Sequence, residues 1–469
     1  MNSLQKETLA QFPNYNITQI NGVFDAAYSQ MKHKIVVLDD DPTGSQTVHG
    51  VPVYTRWDRE SIREAFAAPG RLFYILTNSR AFSETETRRV HTEIGENLAA
   101  VSLPFLLISR GDSTLRGHYP LETETLRQTL ERQGARYDGE ILCPFFAEGG
   151  RYTIDNIHYV AYGDALVPAG ETEYAGDKTF GYQSSDLPSW IAEKYGDRHK
   201  PSVTCISLAQ LRGLDYTGIE RALDEVSGFG KVVVNAVSYE DLLVFCTAFV
   251  RVLAKGRRFL VRSAASFVKV IGAISHHPLL SGAQLRDPCD SNGGLVIVGS
   301  HVNKTTAQLE ALRGYDGAEF VEINQHLVVD STAFEAEMVR AAALTDRLIA
   351  SGKTAVVHTR RERFDVGGGP EEELRCATMI SDKLTGIPAR IAARPSFIIA
   401  KGGITSSDVA TKGLGIRRAE VMGQLLPGIP VWKTGEESLF PGLPYVIFPG
   451  NVGEDNALRQ AVEELSAYT

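Results

Sequence analysis

The sequence predicts an α/β protein of two domains, each a mainly parallel sheet flanked by helices, with an active-site cleft between the domains. Three observations lead there. An apolar run, a Gly- or Asp-rich turn and a polar stretch of helical spacing recur along the chain, the pattern of a parallel sheet with crossover helices. The pattern fades around 255–290, and the chain has 469 residues, more than one hydrophobic core usually holds.

In order, the first domain offers KIVVLDDDPTG from Lys34, RLFYILTNSRAFS from Arg71 and PFLLISRGDSTLRGHYPLE from Pro104. YDGEILCPFF, SVTCISLAQL and GKVVVNAVSYEDLL continue the series. KGRRFLVRSAASFVKV is followed by HHPLLSGAQLRDPCDSNGG, which carries many turn residues and little periodicity, so the domains are assigned to 1–280 and 281–469. The plan resumes in LVIVGSHVNKTTAQLEAL, TAVVHTRRER, PSFIIAKGGITSSDVATKGLG and YVIFPGNVGEDNALRQAVEEL.

Bulk composition excludes several classes. The net charge is −9, which argues against nucleic acid or an anionic membrane as a partner. The 5 cysteines are scattered without a CxxC pair, so neither a zinc site nor a disulfide framework is expected. The N-terminal stretch lacks the apolar core of a signal peptide and no run is long enough to span a bilayer, so a cytoplasmic protein is expected.

Ligands of open parallel sheets bind beyond the carboxyl ends of the strands. One rim then gathers the acids Asp39, Asp40, Asp41 and Asp112 with the cations Arg80, Arg110, Arg116 and Arg151. Arginine forks bind carboxylates bidentately, so an acid-bearing substrate fits this rim, with Ser79, Ser113 and Thr114 to bond hydroxyls. His118 and His158 lie beside it. The second rim holds Gly299-Ser300, Gly402-Gly403-Ile404-Thr405 and Gly450-Asn451-Val452-Gly453, each between a strand and a helix. Glycine lets backbone N–H groups approach phosphate oxygens, which points to a nucleotide. GSHVNKT is one residue short of a P-loop, and no loop is a GxGxxG fingerprint.

With both rims assembled, the chain resembles the four-carbon acid sugar kinases. Asp40-Asp41-Pro42-Thr43-Gly44, Thr77-Asn78-Ser79-Arg80 and Asp112-Ser113-Thr114-Leu115-Arg116-Gly117 match that family's substrate segments. Gly299-Ser300, Gly402 to Thr405 and Gly450 to Gly453 match its nucleotide segments. It departs at Arg110, Ile404 and Phe448-Pro449, where many members carry Lys, an acid and Lys-Ser.

The resemblance implies ATP- and Mg2+-dependent phosphorylation of a small sugar acid such as a tetronate or 3-oxo-tetronate. The acid is the expected partner, and a homo-oligomer is compatible with the sequence. Catalysis is assigned to Asp40, Asp41 and Asp112, one of them as base, with Asp39 bonding the loop N–H groups. Ser79, Arg80, Arg110, Ser113 and Arg116 would bind substrate, Arg80 and Arg110 clamping its carboxylate. Ser300, Gly402, Gly403, Thr405, Gly450, Asn451 and Gly453 would hold ATP; no metal ligands are assigned.

Two alternatives remain. Asp39-Asp40-Asp41-Pro42-Thr43 also satisfies the DxDxT pattern of haloacid-dehalogenase-like phosphatases, with Asp39 as nucleophile and Asp41 as acid/base. The departures also suit a non-catalytic sugar-acid-binding protein descended from a kinase.

Overall fold

The computed structural model describes residues 3–196, 200–287, 289–362, 369–450 and 452–467. The chain forms two compact units, one of residues 1–44 and 56–275, the other of residues 45–55 and 276–469. Residues 45–55, within the 1–280 span of the sequence assignment, thus group with the second unit.

The first unit is built on a parallel sheet. Its order is Val203–Ile206, Gly230–Val234, Gly139–Cys143, Phe259–Ser263, Phe105–Arg110, Lys34–Asp39 and Leu72–Leu76. Apart from the edge strand Val203–Ile206, these strands are buried almost throughout, as parallel strands covered on both faces must be. Helices Glu84–Ala99, Leu121–Arg132 and Tyr239–Ala254 each bury an apolar stripe. A small antiparallel sheet, Arg151–Ile154, Ile157–Tyr162 and Ala165–Pro168, belongs to the same unit.

One expectation changes here. FLVRS, read as part of the fading pattern, is the central strand Phe259–Ser263. Arg262 breaks its apolar signature, and the buried carboxylate of Glu122 compensates that charge.

The second unit has a parallel core in the order Pro444–Phe448, Ile398–Lys401, Leu295–Val298, Thr354–Thr359 and Ala318–Ile323. The antiparallel hairpin Arg418–Leu426 and Ile429–Thr434 extends it, and Val51–Tyr54 pairs with Arg418–Leu426. Helices Asn303–Arg313 and Ala457–Ser466 pack on this unit's apolar core, and Ser331–Ala350 packs against the strands Ala318–Ile323 and Thr354–Thr359. Among the described residues no helix is long and apolar enough to cross a membrane.

Candidate functional site

At the carboxyl end of Lys34–Asp39 the three consecutive aspartates part company. Asp39 ends the strand and is 3% exposed. Its carboxylate accepts from Arg110 Nη1 at 3.2 Å and, at 3.5 Å, from the backbone N–H of Asp41. Gly44 crosses directly over it: a Cβ at Gly44 would lie 2.1 Å from Asp39 Oδ1, so only glycine closes this loop. Asp40 is gripped bidentately by Arg80, Nε to Oδ2 at 3.0 Å and Nη2 to Oδ1 at 2.6 Å. Asp41 is the more open acid, its side chain 20% exposed. Its Oδ1 accepts from the Thr43 N–H at 2.9 Å and the Thr43 hydroxyl at 2.6 Å, an Asx turn that fixes the loop.

These surroundings separate the titrations. Burial pushes the Asp39 carboxyl up to about 7, more than Arg110 pulls it down. Burial would also raise Asp41, but Arg80 and the Thr43 hydrogen bonds hold it below the usual carboxylate range. Burial opposes ionisation at Asp112 too, and Arg80 and Arg116 overcome it and hold that acid far lower. Because the folded value of Asp39 exceeds its unfolded value of 3.8, the unfolded chain ionises first as pH rises. Asp39 therefore withdraws stability between about pH 4 and about pH 7. Asp39→Asn, compared with wild type by thermal melting across that range, is expected to gain relative stability as pH rises; a pH-independent difference would refute this.

The segment 112–117 forms the neighbouring wall. Asp112 accepts from the Thr114 hydroxyl and, at 2.7 Å, from Arg116 Nε. The Arg116 guanidinium lies 5.0 Å from the Tyr174 ring centre and that of Arg151 5.8 Å, so two cations flank one aromatic. His158 Nε2–H donates to the Ser113 carbonyl at 2.7 Å, and its Nδ1 accepts from the Thr153 hydroxyl at 3.0 Å. Burial pulls its pKa down to about 4, so it is a neutral pin for the loop. His118 donates to the Phe82 carbonyl at 2.9 Å. Both histidines are thus tied to the backbone.

Two of the expected substrate contacts are turned inward. Ser79 is fully buried and its hydroxyl donates to Glu122 at 2.7 Å. Arg110 is 4% exposed and shared by Asp39 and Asp40. Arg80 and Arg116 keep partly exposed edges.

Beneath this rim runs an ion pair that motif reading missed. Arg262 Nη1 meets Glu122 at 2.5 Å, and Arg262 also reaches the Ser109 hydroxyl and the Arg116 carbonyl. A Cβ on Gly111 would lie 2.1 Å from the guanidinium and one on Gly117 2.9 Å, so both glycines admit Arg262 under the loop. The signal available was a lone charge inside the apolar run FLVRS.

In the second unit the glycine loops converge. A Cβ on Gly402 would sit 3.3 Å from Ser300 Cβ, and one on Gly450 3.4 Å from Ser300 Oγ. A Cβ on Gly299 would overlap Thr405 Oγ1 at 2.4 Å. Thr305, in the first turn of Asn303–Arg313, donates to Ser300 Oγ at 3.2 Å or to the Gly450 carbonyl at 3.1 Å. Gly403 opens helix Gly403–Asp408, and Gly453 turns against Ala457 at φ +81. Asn451 lies outside the described residues.

Lys401, which motif reading passed over, ends the strand Ile398–Lys401. It is fully buried, donating to the Pro449 and Gly450 carbonyls at 2.5 and 3.2 Å. Burial, with the charge of Lys304, brings its pKa down to about 7. Its signal was a lysine closing an apolar strand immediately before two glycines.

This layout has known counterparts. Residues 35–271 match the family of sugar-binding N-terminal domains, and residues 295–458 the family of nucleotide-binding C-terminal domains. The fold is similar to that of the Haemophilus influenzae protein HI1011 of the DUF1537 family, at 16% identity and a TM-score of 0.60 over 92% of this chain and 100% of that one. It is also similar to a candidate tRNA synthase from Salmonella typhimurium LT2, at 16% identity and a TM-score of 0.65 over 92% and 98%. No curated protein matches. The chain therefore belongs to the two-domain family that joins a sugar-binding N-terminal domain to a nucleotide-binding C-terminal domain, the architecture of the four-carbon acid sugar kinases.

Proposed function

We propose that the protein is an ATP-dependent kinase of a small, four-carbon sugar acid. The observation that carries this reading is the convergence of the glycine loops on Ser300 in the nucleotide-binding domain, beside the first turn of Asn303–Arg313. Close-packed glycines and a helix start present backbone N–H groups to phosphate oxygens. In the sugar-binding domain, Asp41 and Asp112 accept hydrogen bonds from the acid's hydroxyls. Arg80 and Arg116, whose edges stay open, attract its carboxylate. Arg110 acts from below, holding Asp39 and Asp40 in place.

Phosphoryl transfer needs positioning and charge neutralisation more than a strong base. An Asp41 held ionised meets that need, because it orients the attacking hydroxyl and receives its proton as the phosphoryl group leaves ADP. The hydroxyls of Ser300, Thr305 and Thr405 fit a magnesium ion that arrives on the nucleotide, since Mg2+ keeps much of its water and is bound largely through phosphates. Magnesium would neutralise the β and γ oxygens. Asp39, buried against Gly44, is badly placed to attack a phosphomonoester, which weighs against the phosphatase alternative.

The test is coupled ADP release with ATP and magnesium against tetronates and 3-oxo-tetronates. Release that depends on one acid is the expected result. Phosphomonoester cleavage without ATP, or acid binding without ATP binding, would overturn the proposal.

A further inference from the structure

The sugar-binding unit has a concavity at the end of its sheet away from the aspartate rim. A cavity of about 370 Å3 opens where the strands Phe105–Arg110 and Phe259–Ser263 begin, a volume suited to a small molecule. Its lining mixes an apolar floor, including Leu106, Leu130 and Phe259, with His33, Arg257 and Arg258. A shallower hollow shares His33, Leu103 and Pro104 with it and adds Lys32, Lys34 and Arg71. Among the described residues neither lining contains a carboxylate, although the chain as a whole carries a net charge of −9.

The nearby acids are already committed. Asp138 pairs with Arg257 at 3.0 Å and accepts from the Arg258 N–H, while Glu131 pairs with Arg127. Lys34 and Arg71 donate to main-chain carbonyls rather than to carboxylates. Burial, then Arg258 and Arg71, lower the His33 pKa, which places it in their positive field.

We infer that this cavity binds a small organic anion with an apolar body, its charged group meeting His33 and Arg258 and its body lying on the Leu106–Phe259 floor. The site is separate from the sugar rim: the strand Phe105–Arg110 carries the cavity at one end and Arg110 at the other, about 17 Å apart along an extended strand. Each ligand class therefore has its own end of the sheet.

Fluorescence titration of the full chain with 8-anilinonaphthalene-1-sulfonate, an aromatic body bearing one sulfonate, tests this. Saturable binding that saturating ATP does not displace is expected. Arg258→Glu, at an exposed position, should weaken it about tenfold or more. Ala135→Trp, which fills the lining, should abolish it; melting temperatures check that both variants fold. Wild-type affinity in both variants, or displacement of the probe by ATP, would overturn the inference.

Discussion

Arg262→Met is expected to lower the unfolding free energy by about 3–5 kcal/mol, the cost of leaving a buried charge without its partner. Arg262 and Glu122 are both nearly inaccessible, and among the described residues Glu122 is otherwise met by the hydroxyls of Ser79 and Ser109 and by the ring of His91 at 4.0 Å, with His118 acting on it from further off. The effect carries a pH signature. Burial would raise the Glu122 carboxyl, but Arg262 outweighs it and holds the acid at about 2, below its ordinary 4.5. A depressed carboxyl contributes stability above its unfolded value and loses it as pH falls towards the folded one. Without Arg262 that contribution disappears, so the deficit measured by urea denaturation should be greatest near neutral pH and shrink below about pH 4.5. Adding Glu122→Gln, which keeps an acceptor for Ser79 but removes the charge, should recover a substantial part of the loss. A deficit under about 1 kcal/mol would mean that water reaches the pair and screens it.

Asp41→Asn is expected to reduce acid-dependent turnover by about 10²–10⁴ while leaving ATP affinity nearly unchanged. The substitution is mild for the fold, because an amide oxygen can still accept from the Thr43 N–H and hydroxyl. What disappears is the charge facing Arg80 at 3.6 Å and the capacity to take a proton. Isothermal titration with ATP and the ADP-release assay together separate these consequences. Unchanged turnover would remove Asp41 from the catalytic assignment; a parallel loss of ATP affinity would show that the variant disturbs more than the sugar rim.

Much of the fold was legible because strands buried on both faces write themselves as apolar runs. Lys34–Asp39, Phe105–Arg110, Leu295–Val298 and Pro444–Phe448 all do so, and the glycine loops follow such runs. Two kinds of information were not local. One was pairing at a distance: Arg262 with Glu122, or Val51–Tyr54 with Arg418–Leu426, leaves no trace in nearby spacing. The other was direction. A strand-end arginine reads the same whether it faces solvent, as Arg80 partly does, or lies beneath the aspartates, as Arg110 does. Ser79 shows the same ambiguity, since a hydroxyl in TNSR gives no hint that Glu122 waits behind it. Lys401 was obscured by the glycines after it.

The excursion of residues 45–55 into the second unit has a consequence for synthesis on the ribosome. The chain leaves the first unit after Gly44, returns at Arg56 and leaves again after Ser275, so no single cut yields two intact halves. Val51–Tyr54 emerges early, yet its partner Arg418–Leu426 follows about 360 residues later, a delay of about 20–70 s at ordinary elongation rates. Throughout that interval a nascent strand with open backbone groups awaits its neighbour, the situation in which edge pairing with a foreign chain competes.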